Sequence, residues 1–345
     1  MPVADHTPMG HAMRYVPDCY TGMRDDHART EAYRRAIAAA AAGRVVLDIG
    51  TGALALLAIF AAESGASHVY AFEVNESAYE TAKATIAATN FADRITLIKG
   101  FSTDPTVTLP TKATLLVHEL IGDVAGEEGA VAAILDAAKR HLDPAAPMPV
   151  SVPARSRSLI APCELPNATT YPEYCASLPA GLLERPGQST VLKLQSLPRT
   201  ALFAPPQTFE NLRFDAAAPA ASQAVELTFE AVRAGQLRGL AIDVDLVCSA
   251  DGGEQEEPEV SSAWRGSHWS NVIILFERET PLAAGGRVKV HARCALAGPQ
   301  PSYEFDAWIE DAGEWRALTA GSVCYPEAAL NVNDAADVWM ERMMG

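Results

Sequence analysis

The first half of the chain alternates short apolar strand patterns with helical patterns, and this alternation constrains the fold more than any other feature. Strand patterns are predicted at residues 44–48, 68–73, 95–98 and 113–118. Helical patterns are predicted at residues 24–42, 54–64, 75–89 and 129–142. Strands separated by helices in this way are typical of crossover units, which place the strands parallel in one sheet. We therefore expect a parallel sheet that is covered by helices.

The second half of the chain has a different periodicity. Apolar and polar residues alternate at 225–230, 287–294 and 303–309, and further strand patterns lie at 240–247 and 272–276. A period of two over several short segments indicates an antiparallel sandwich or barrel.

The change of pattern divides the chain near residue 150, where prolines are frequent. We interpret residues 1–43 as an N-terminal helical segment, 44–150 as the parallel-sheet domain and 151–345 as the antiparallel domain. Within the last domain, the strands are interrupted at residues 163–188 by Pro, Gly and short helical pieces. We interpret this segment as an inserted arm or lid.

Charge and composition exclude several classes of function. The net charge of −16 argues against nucleic-acid binding and against anionic membrane surfaces, and it favours cationic partners. No apolar run approaches the length of a membrane span. Six scattered cysteines without a CxxC pair predict no zinc or other metal site and no disulfide framework, which fits a reducing, cytoplasmic location. The acidic stretch 251–259 is predicted to be a solvated loop.

A glycine loop follows the first predicted strand. Asp48 is followed by Ile-Gly-Thr-Gly, and Glu73 ends the second strand 25 residues later. Glycines at this position let a ligand approach the backbone, and an acid at the second strand end accepts hydrogen bonds from ribose hydroxyls. The third glycine of a dinucleotide site is missing, since the run continues Ala53-Leu54-Ala55. The pattern favours a nucleoside ligand without a pyrophosphate, such as S-adenosylmethionine; for the glycines alone, an ordinary tight turn is the alternative.

Two glutamates bracket the loop after the fourth strand. Glu119 ends that strand, and Glu128 follows 9 residues later. Two carboxylates at this edge of a parallel sheet can hold a guanidinium, whose fork of donors matches carboxylate geometry. Each glutamate taken alone is more often a surface acid. Glu127, next to Glu128, is expected to point elsewhere.

Four motifs in order resemble the protein arginine methyltransferase family. The glutamate loop (LVHEL and GEEG) is similar to that family's double-glutamate loop, and Ser267-His268-Trp269 resembles its Thr-His-Trp loop. Tyr20, Met23, Asp26 and Arg29 have the spacing of its N-terminal helix, which covers the cofactor. Val-Pro-Ala-Arg at 152–155 resembles its crossover into the barrel. The resemblance covers residues 15–320, and it is closest to the monomethylating (type III) branch.

The resemblance implies a fold and a cofactor. The fold would be a Rossmann-like class I methyltransferase sheet followed by an antiparallel β-barrel with an inserted arm. The cofactor would be S-adenosyl-L-methionine, released as S-adenosyl-L-homocysteine. The implied cofactor residues are Met23, Arg29, Asp48, Gly50, Gly52, Glu73, Ser102 and Thr103. Among them, Glu73 would bind the ribose and Arg29 the cofactor's carboxylate.

The resemblance also implies a guanidino substrate. Glu119 and Glu128 would hold it, and His268 would accept a proton or brace its loop, of which we favour bracing. Tyr20, Ser267 and Trp269 would line the substrate slot, although Trp269 also suits a plain core position. The arm would form a homodimer or fold back as a lid.

Three functions remain open at this stage. The nearly bare catalytic core and the alanine-rich, lysine-poor composition, which suits a bacterial source, favour monomethylation of free arginine or a small guanidino compound in specialised metabolism. Arginine in a basic protein segment is the second possibility. A non-catalytic scaffold of the same fold is the third.

Overall fold

The computed structural model describes residues 17–146, 151–178, 191–214, 219–249, 257–298, 300–319 and 323–325. Most of the acidic stretch 251–259 and the end of the arm, beyond residue 178, lie outside the described residues. Within the described part of the chain, no helix is long and apolar enough to cross a membrane.

The first sheet is parallel, as predicted. Its strands are β1 (Val45–Ile49), β2 (His68–Glu73), β3 (Ile95–Lys99), β4 (Leu115–His118) and β5 (Ser151–Val152). They lie in the order β3-β2-β1-β4-β5, so β5 adds an edge just past residue 150. The order reverses between β1 and β4. The carboxyl ends of these two strands therefore border the crevice in which such sheets bind ligands.

Helices cover this sheet because its strands are apolar toward both faces. The helices are α1 (Pro17–Asp25), α2 (His27–Ala40), α3 (Leu56–Glu63), α4 (Glu76–Ala87) and α5 (Ala130–Arg140). Val46, Leu47, Val69 and Leu116 are buried completely or almost so. Burial of these side chains fixes the register of the strands and the position of the loops at their ends.

The single helix predicted over residues 24–42 is instead two helices that meet at Asp26. The backbone of Asp26 leaves the helical conformation, and its side chain accepts a hydrogen bond from the amide of Arg29 at 3.0 Å. Asp favours such an N-cap position because its side chain satisfies an amide that has no partner within the helix. The apolar period continues across this residue, which is why the sequence pattern alone suggested one helix.

The remaining strands of the described residues form two antiparallel sheets. One contains β6 (Arg155–Cys163), β7 (Val191–Leu194), β8 (Gln207–Arg213), β10 (Gly235–Val247), β11 (Val260–Ser261) and β12 (Asn271–Leu282). The other contains β9 (Ser222–Glu230), β13 (Arg287–Ala295), β14 (Ser302–Asp311), β15 (Glu314–Ala317) and β16 (Val323–Tyr325). Their inner faces share one apolar core, in which Phe209 meets Phe305 edge to face at 5.4 Å. The alternating patterns predicted an antiparallel sandwich or barrel, and the structure has the barrel that the resemblance implied.

The described part of the arm packs on its own barrel. It contains α6 (Pro172–Ser177), and Leu165, Tyr171 and Leu178 cover a second apolar cluster on the outer face of the barrel. The Tyr171 hydroxyl donates to Glu164 at 2.7 Å and Tyr174 donates to the Gln195 carbonyl at 3.0 Å. These residues therefore fold back onto the chain that carries them.

Candidate active site

The glycine loop after β1 closes tightly against β2. The amides of Gly50 and Thr51 both donate to the Phe72 carbonyl, at 3.1 and 2.9 Å. Gly52 has a φ of +66°, and a Cβ on it would lie 2.9 Å from the Tyr20 ring of α1. Glycine is thus required twice here, for the backbone conformation and for the close approach of α1.

The missing third glycine is replaced by an alanine in a strained conformation. Ala55 precedes α3 with φ 45° and ψ 35°, in the left-handed region that glycine adopts more readily. The loop therefore keeps a left-handed residue immediately before the helix, although the sequence lacks a glycine there.

Glu73 is buried at the end of β2 and holds the glycine loop. Its two oxygens accept the amides of Gly52 and Asn75, at 2.9 and 2.7 Å. Burial raises the pKa of Glu73, while these hydrogen bonds oppose that rise. A carboxylate oxygen can accept more than one hydrogen bond, so the capacity to receive ribose hydroxyls remains.

Asp48 stabilises the glycine loop through a hydrogen bond with Thr51. It is fully buried, and Thr51 donates to its Oδ2 at 2.5 Å. Burial raises the pKa of Asp48 to about 7, and the Thr51 hydroxyl counteracts part of this rise. Of the predicted cofactor residues, Asp48 is therefore placed to brace the loop through Thr51.

The loop after β3 is tied to the end of α5. Ser102 is buried, and its carbonyl accepts hydrogen bonds from Arg140 at 2.5 Å and from His141 at 2.8 Å. Thr103 is partly exposed beside it. These contacts hold the loop of the predicted cofactor residues Ser102 and Thr103 at the carboxyl edge of the sheet.

Arg29 and Glu119 form a buried ion pair. The Arg29 Nη2 lies 2.9 Å from Glu119 Oε2, and the two side chains are 6% and 9% exposed. Within the described part of the chain, the Arg29 Nε and the Glu119 Oε1 have no hydrogen-bond partner. A buried donor and a buried acceptor without partners are costly unless a ligand satisfies them.

Glu128 carries a strongly shifted carboxyl group. Burial, together with the neighbouring charges of Glu119, Glu127 and Asp123, raises its pKa to about 8, and Lys193 opposes part of this rise. The negative charge of Glu119 thus disfavours ionisation of Glu128. The site is therefore poised to receive a cation.

Glu127 turns away from this site. Its Oε1 accepts the Asp123 amide at 2.8 Å, and it packs so closely on Gly122 that a Cβ there would lie 2.2 Å from the Glu127 Cγ. Lys193 of β7 reaches the same loop, with Nζ 2.9 Å from Asp123 Oδ2. The expectation that Glu127 points elsewhere is in agreement with these contacts.

The His268 loop is attached to α2 through Asp26. The Asp26 Oδ2 lies 2.9 Å from His268 Nδ1 and accepts the His268 amide at 3.0 Å. Asp26 also caps α2, and its pKa is lowered by hydrogen bonds from His268 and Arg29, which exceed the opposing effect of burial. The Asp26 carboxylate thus joins α2, which carries Arg29 of the ion pair, to the His268 loop of the barrel.

Trp269 occupies the core position that we gave as its alternative. It is 3% exposed, and its indole donates to the Ile121 carbonyl at 2.7 Å. Ser267 is buried beside it, and its hydroxyl accepts the Trp269 amide at 3.3 Å. Trp269 therefore fixes the glutamate loop against the barrel, and Ser267 supports Trp269. Met23 is partly buried on α1, where its carbonyl accepts the Thr30 hydroxyl at 3.3 Å.

Asp26, Asp123 and Lys193 belong to this site but had no predicted role. Asp26 was visible in the motif with Arg29, and its spacing to Arg29 is typical of a helix cap. Nothing in the sequence near Lys193 points to Asp123, which lies far from it along the chain.

Comparison with known proteins supports the fold and the class of site. A family model described as ribosomal protein L11 methyltransferase (PrmA) matches residues 26–124. The probable histone-arginine methyltransferase 1.3 of Arabidopsis thaliana is 39% identical over 125 residues, which is 35% of this chain and 23% of that protein. The protein arginine N-methyltransferase PRMT10 of Oryza sativa subsp. japonica is 35% identical over 140 residues, 40% of this chain and 35% of that protein. The chain thus matches only about a quarter to a third of these relatives' length.

Two solved structures share the fold over nearly the whole chain. The Trypanosoma brucei PRMT1 enzyme-prozyme complex with AdoHcy superposes with a TM-score of 0.67 at 18% identity, covering 89% of this chain and 96% of that one. The Arabidopsis thaliana protein arginine methyltransferase 10 superposes with a TM-score of 0.68 at 20% identity, covering 88% and 95%. The fold is therefore the Rossmann-like methyltransferase sheet with a β-barrel domain that these arginine methyltransferases have.

Proposed function

We propose that this chain is an S-adenosylmethionine-dependent arginine N-methyltransferase. One observation carries the proposal: among the described residues, the buried Arg29–Glu119 pair keeps one unpartnered donor and one unpartnered acceptor, and the charge of Glu119 acts on the nearby carboxyl group of Glu128. The carboxylate of a cofactor would accept a hydrogen bond from Arg29 Nε, and a guanidinium would donate one to Glu119 Oε1. The local sequence identity to named arginine methyltransferases supports the same assignment.

The residues present fit this cofactor. Arg29 Nε offers a donor for the amino-acid carboxylate, Glu73 offers acceptors for the ribose, and Gly52 exposes backbone beside both α1 and Glu73. When bound, S-adenosylmethionine supplies an activated methyl group on a sulfonium. The protein's task is then to position the acceptor nitrogen, which can account for about 7–11 kcal/mol of a barrier in favourable cases.

Glu119 and Glu128 would orient and polarise the guanidinium. Its positive charge is delocalised and its nitrogens are poor nucleophiles, since its pKa lies above about 12. Two carboxylates on one side draw the charge toward the nitrogens they contact, which leaves the free terminal nitrogen more nucleophilic. For His268, the two hydrogen bonds to Asp26 support the bracing role.

Free arginine or a small guanidino compound, monomethylated, remains our proposed substrate. The support is the alanine-rich, lysine-poor composition, which suits a bacterial source with specialised metabolism. Arginine within a basic protein segment is the second candidate, and it is favoured by relatives that are named for histone or protein arginine. A cation-binding site of this kind would serve both.

The deciding experiment offers methyl-labelled S-adenosylmethionine to the full chain with free arginine and an Arg-Gly-rich peptide together. Label in arginine alone supports the first substrate, and label in the peptide alone supports the second. Absence of label in both would contradict the enzymatic assignment and favour the scaffold. Glu119→Gln and Glu128→Gln should abolish turnover while S-adenosylhomocysteine still binds. Glu127→Gln is the matched control, because the amide oxygen can still accept the Asp123 amide.

We also propose that the chain forms a homodimer through the arm, residues 163–188. Light scattering of the full chain at micromolar concentration should give twice the monomer mass. A monomeric mass would contradict this proposal without affecting the enzymatic one.

A further inference from the structure

A buried carboxyl group of the barrel contacts the loop that carries Glu128. Glu210 of β8 is fully buried. It accepts hydrogen bonds from the Ser158 hydroxyl, from the Tyr303 hydroxyl at 3.0 Å and from the amide of Gly126. Three donors on one buried carboxyl group form a satisfied network, which is rigid when complete.

Ser158 of β6 extends this network by one more bond to the loop. Its hydroxyl donates to Glu210 and accepts the amide of Ala125 at 2.9 Å. Two consecutive amides, those of Ala125 and Gly126, are therefore both held by barrel side chains. Neither amide is available to adjust without losing a buried hydrogen bond, which is costly.

Gly126 allows this contact because it has no side chain. A Cβ on it would lie 2.6 Å from Glu210 Oε1 and 2.9 Å from the Tyr303 hydroxyl. The turn thus sits directly on the carboxyl group, and Glu128 follows two residues later. The position of Glu128 relative to Glu119 depends on where this turn is held.

We propose that Ser158 and Glu210 are positioning residues that fix the turn bearing Glu128, and so set the spacing of the two guanidinium-binding carboxylates. This inference rests on the proposed function for its chemical consequence. Its structural content, the fixing of the turn, can be measured without any methyl transfer.

The chain offers a matched control on the same strand. Ser156 lies two residues before Ser158 and is equally buried, but its hydroxyl donates to the Asp245 carbonyl at 3.1 Å and no hydrogen bond joins it to the glutamate loop. Ser156→Ala therefore removes a buried barrel hydroxyl without touching the turn. A loss of exchange protection or of ligand affinity that both serine variants share reports a general loss of stability.

The experiment compares Ser158→Ala, Glu210→Gln and Ser156→Ala in the full chain. Amide hydrogen exchange is measured over residues 125–128, and binding of S-adenosylhomocysteine, free arginine and an Arg-Gly-rich peptide is measured by calorimetry. We expect Ser158→Ala and Glu210→Gln to speed exchange in the turn and to weaken the guanidino ligand by about tenfold. Affinity for S-adenosylhomocysteine should stay within about twofold, since its proposed residues lie elsewhere.

Two results would overturn the inference. One is exchange in residues 125–128 of Ser158→Ala that equals that of Ser156→Ala. The other is guanidino affinity that falls equally in both serine variants. If the wild type binds neither arginine nor the peptide, the proposed function is wrong, and the exchange rates still decide whether the pair holds the turn. Ser158→Ala keeps the test valid if Glu210→Gln does not fold.

Discussion

Arg29 Nη2 lies 2.9 Å from Glu119 Oε2, so the residue proposed to bind the cofactor's carboxylate and a residue proposed to bind the substrate share one buried ion pair. Removing one partner of such a pair leaves an uncompensated buried charge, which costs about 3–5 kcal/mol. Binding of cofactor and of guanidine should therefore be coupled through this contact.

Arg29→Lys tests this coupling because it keeps the charge and removes the planar fork of donors. We expect the affinity for S-adenosylhomocysteine to fall at least about tenfold and the affinity for the guanidino substrate to fall as well. Calorimetry with each ligand measures both. Arg24→Lys is the control, since Arg24 pairs with Asp25 on the exposed side of α1. A loss of cofactor affinity with unchanged substrate affinity would contradict the shared role.

Gly52→Ala should damage the cofactor site beyond its effect on stability. The positive φ of +66° would cost an alanine about 1–2 kcal/mol, and its Cβ would collide with Tyr20. Gly43 has a φ of +72°, and no atom lies within 4 Å of an added Cβ. Gly43→Ala therefore imposes the same backbone strain without a collision. Both variants should melt earlier, but only Gly52→Ala should weaken S-adenosylhomocysteine binding. Equal affinities for the two variants would show that the approach of α1 is unimportant.

The sequence predicted those parts of the molecule that follow from local patterns. The parallel strands, the glycine loop, Glu73 and the two bracketing glutamates all depend on periodicity or on residues at strand ends. The parts that it missed join distant segments: Asp26 meets His268 across 242 residues, and Glu210 meets the turn at Gly126. Such contacts arise from packing the barrel on the sheet, and no short-range pattern encodes them.

The helix break at Asp26 shows a second limit of local patterns. An Asp within an apolar period fits a helix interior facing solvent as well as an N-cap. Here the contact with the barrel selects the cap, because one oxygen of the Asp26 carboxylate accepts two bonds from His268 while the other accepts the Arg29 amide of α2. The contact with the barrel therefore determines where α2 begins.

Asp26→Asn should separate the two roles of this residue. Asn is as good an N-cap as Asp, so the stability of α2 should change little, whereas Asp26→Ala should cost about 1 kcal/mol. Asn has a single acceptor oxygen, so when that oxygen caps α2, its NH2 group faces the His268 amide and cannot accept from it. We expect both variants to lower kcat, and only Asp26→Ala to lower the melting temperature clearly. Steady-state kinetics and thermal melts measure the two effects; full activity of Asp26→Asn would contradict the bracing role of the carboxylate.

Guanidinium binding should release a proton from Glu128. Burial raises the pKa of Glu128 to about 8, so at pH 7 this carboxyl group is mostly protonated, and only its ionised form attracts the cation. The affinity should therefore rise by up to about tenfold per pH unit below pH 8 and level off above it. Calorimetry at pH 7 in buffers of different ionisation enthalpy should detect about one proton released per guanidinium bound. Glu128→Gln should release none, whereas Glu127→Gln should still release a proton at a lower pH, because loss of the Glu127 charge lowers the pKa of Glu128. Affinity that is flat from pH 6 to pH 8 would contradict the assignment of this group to the binding site.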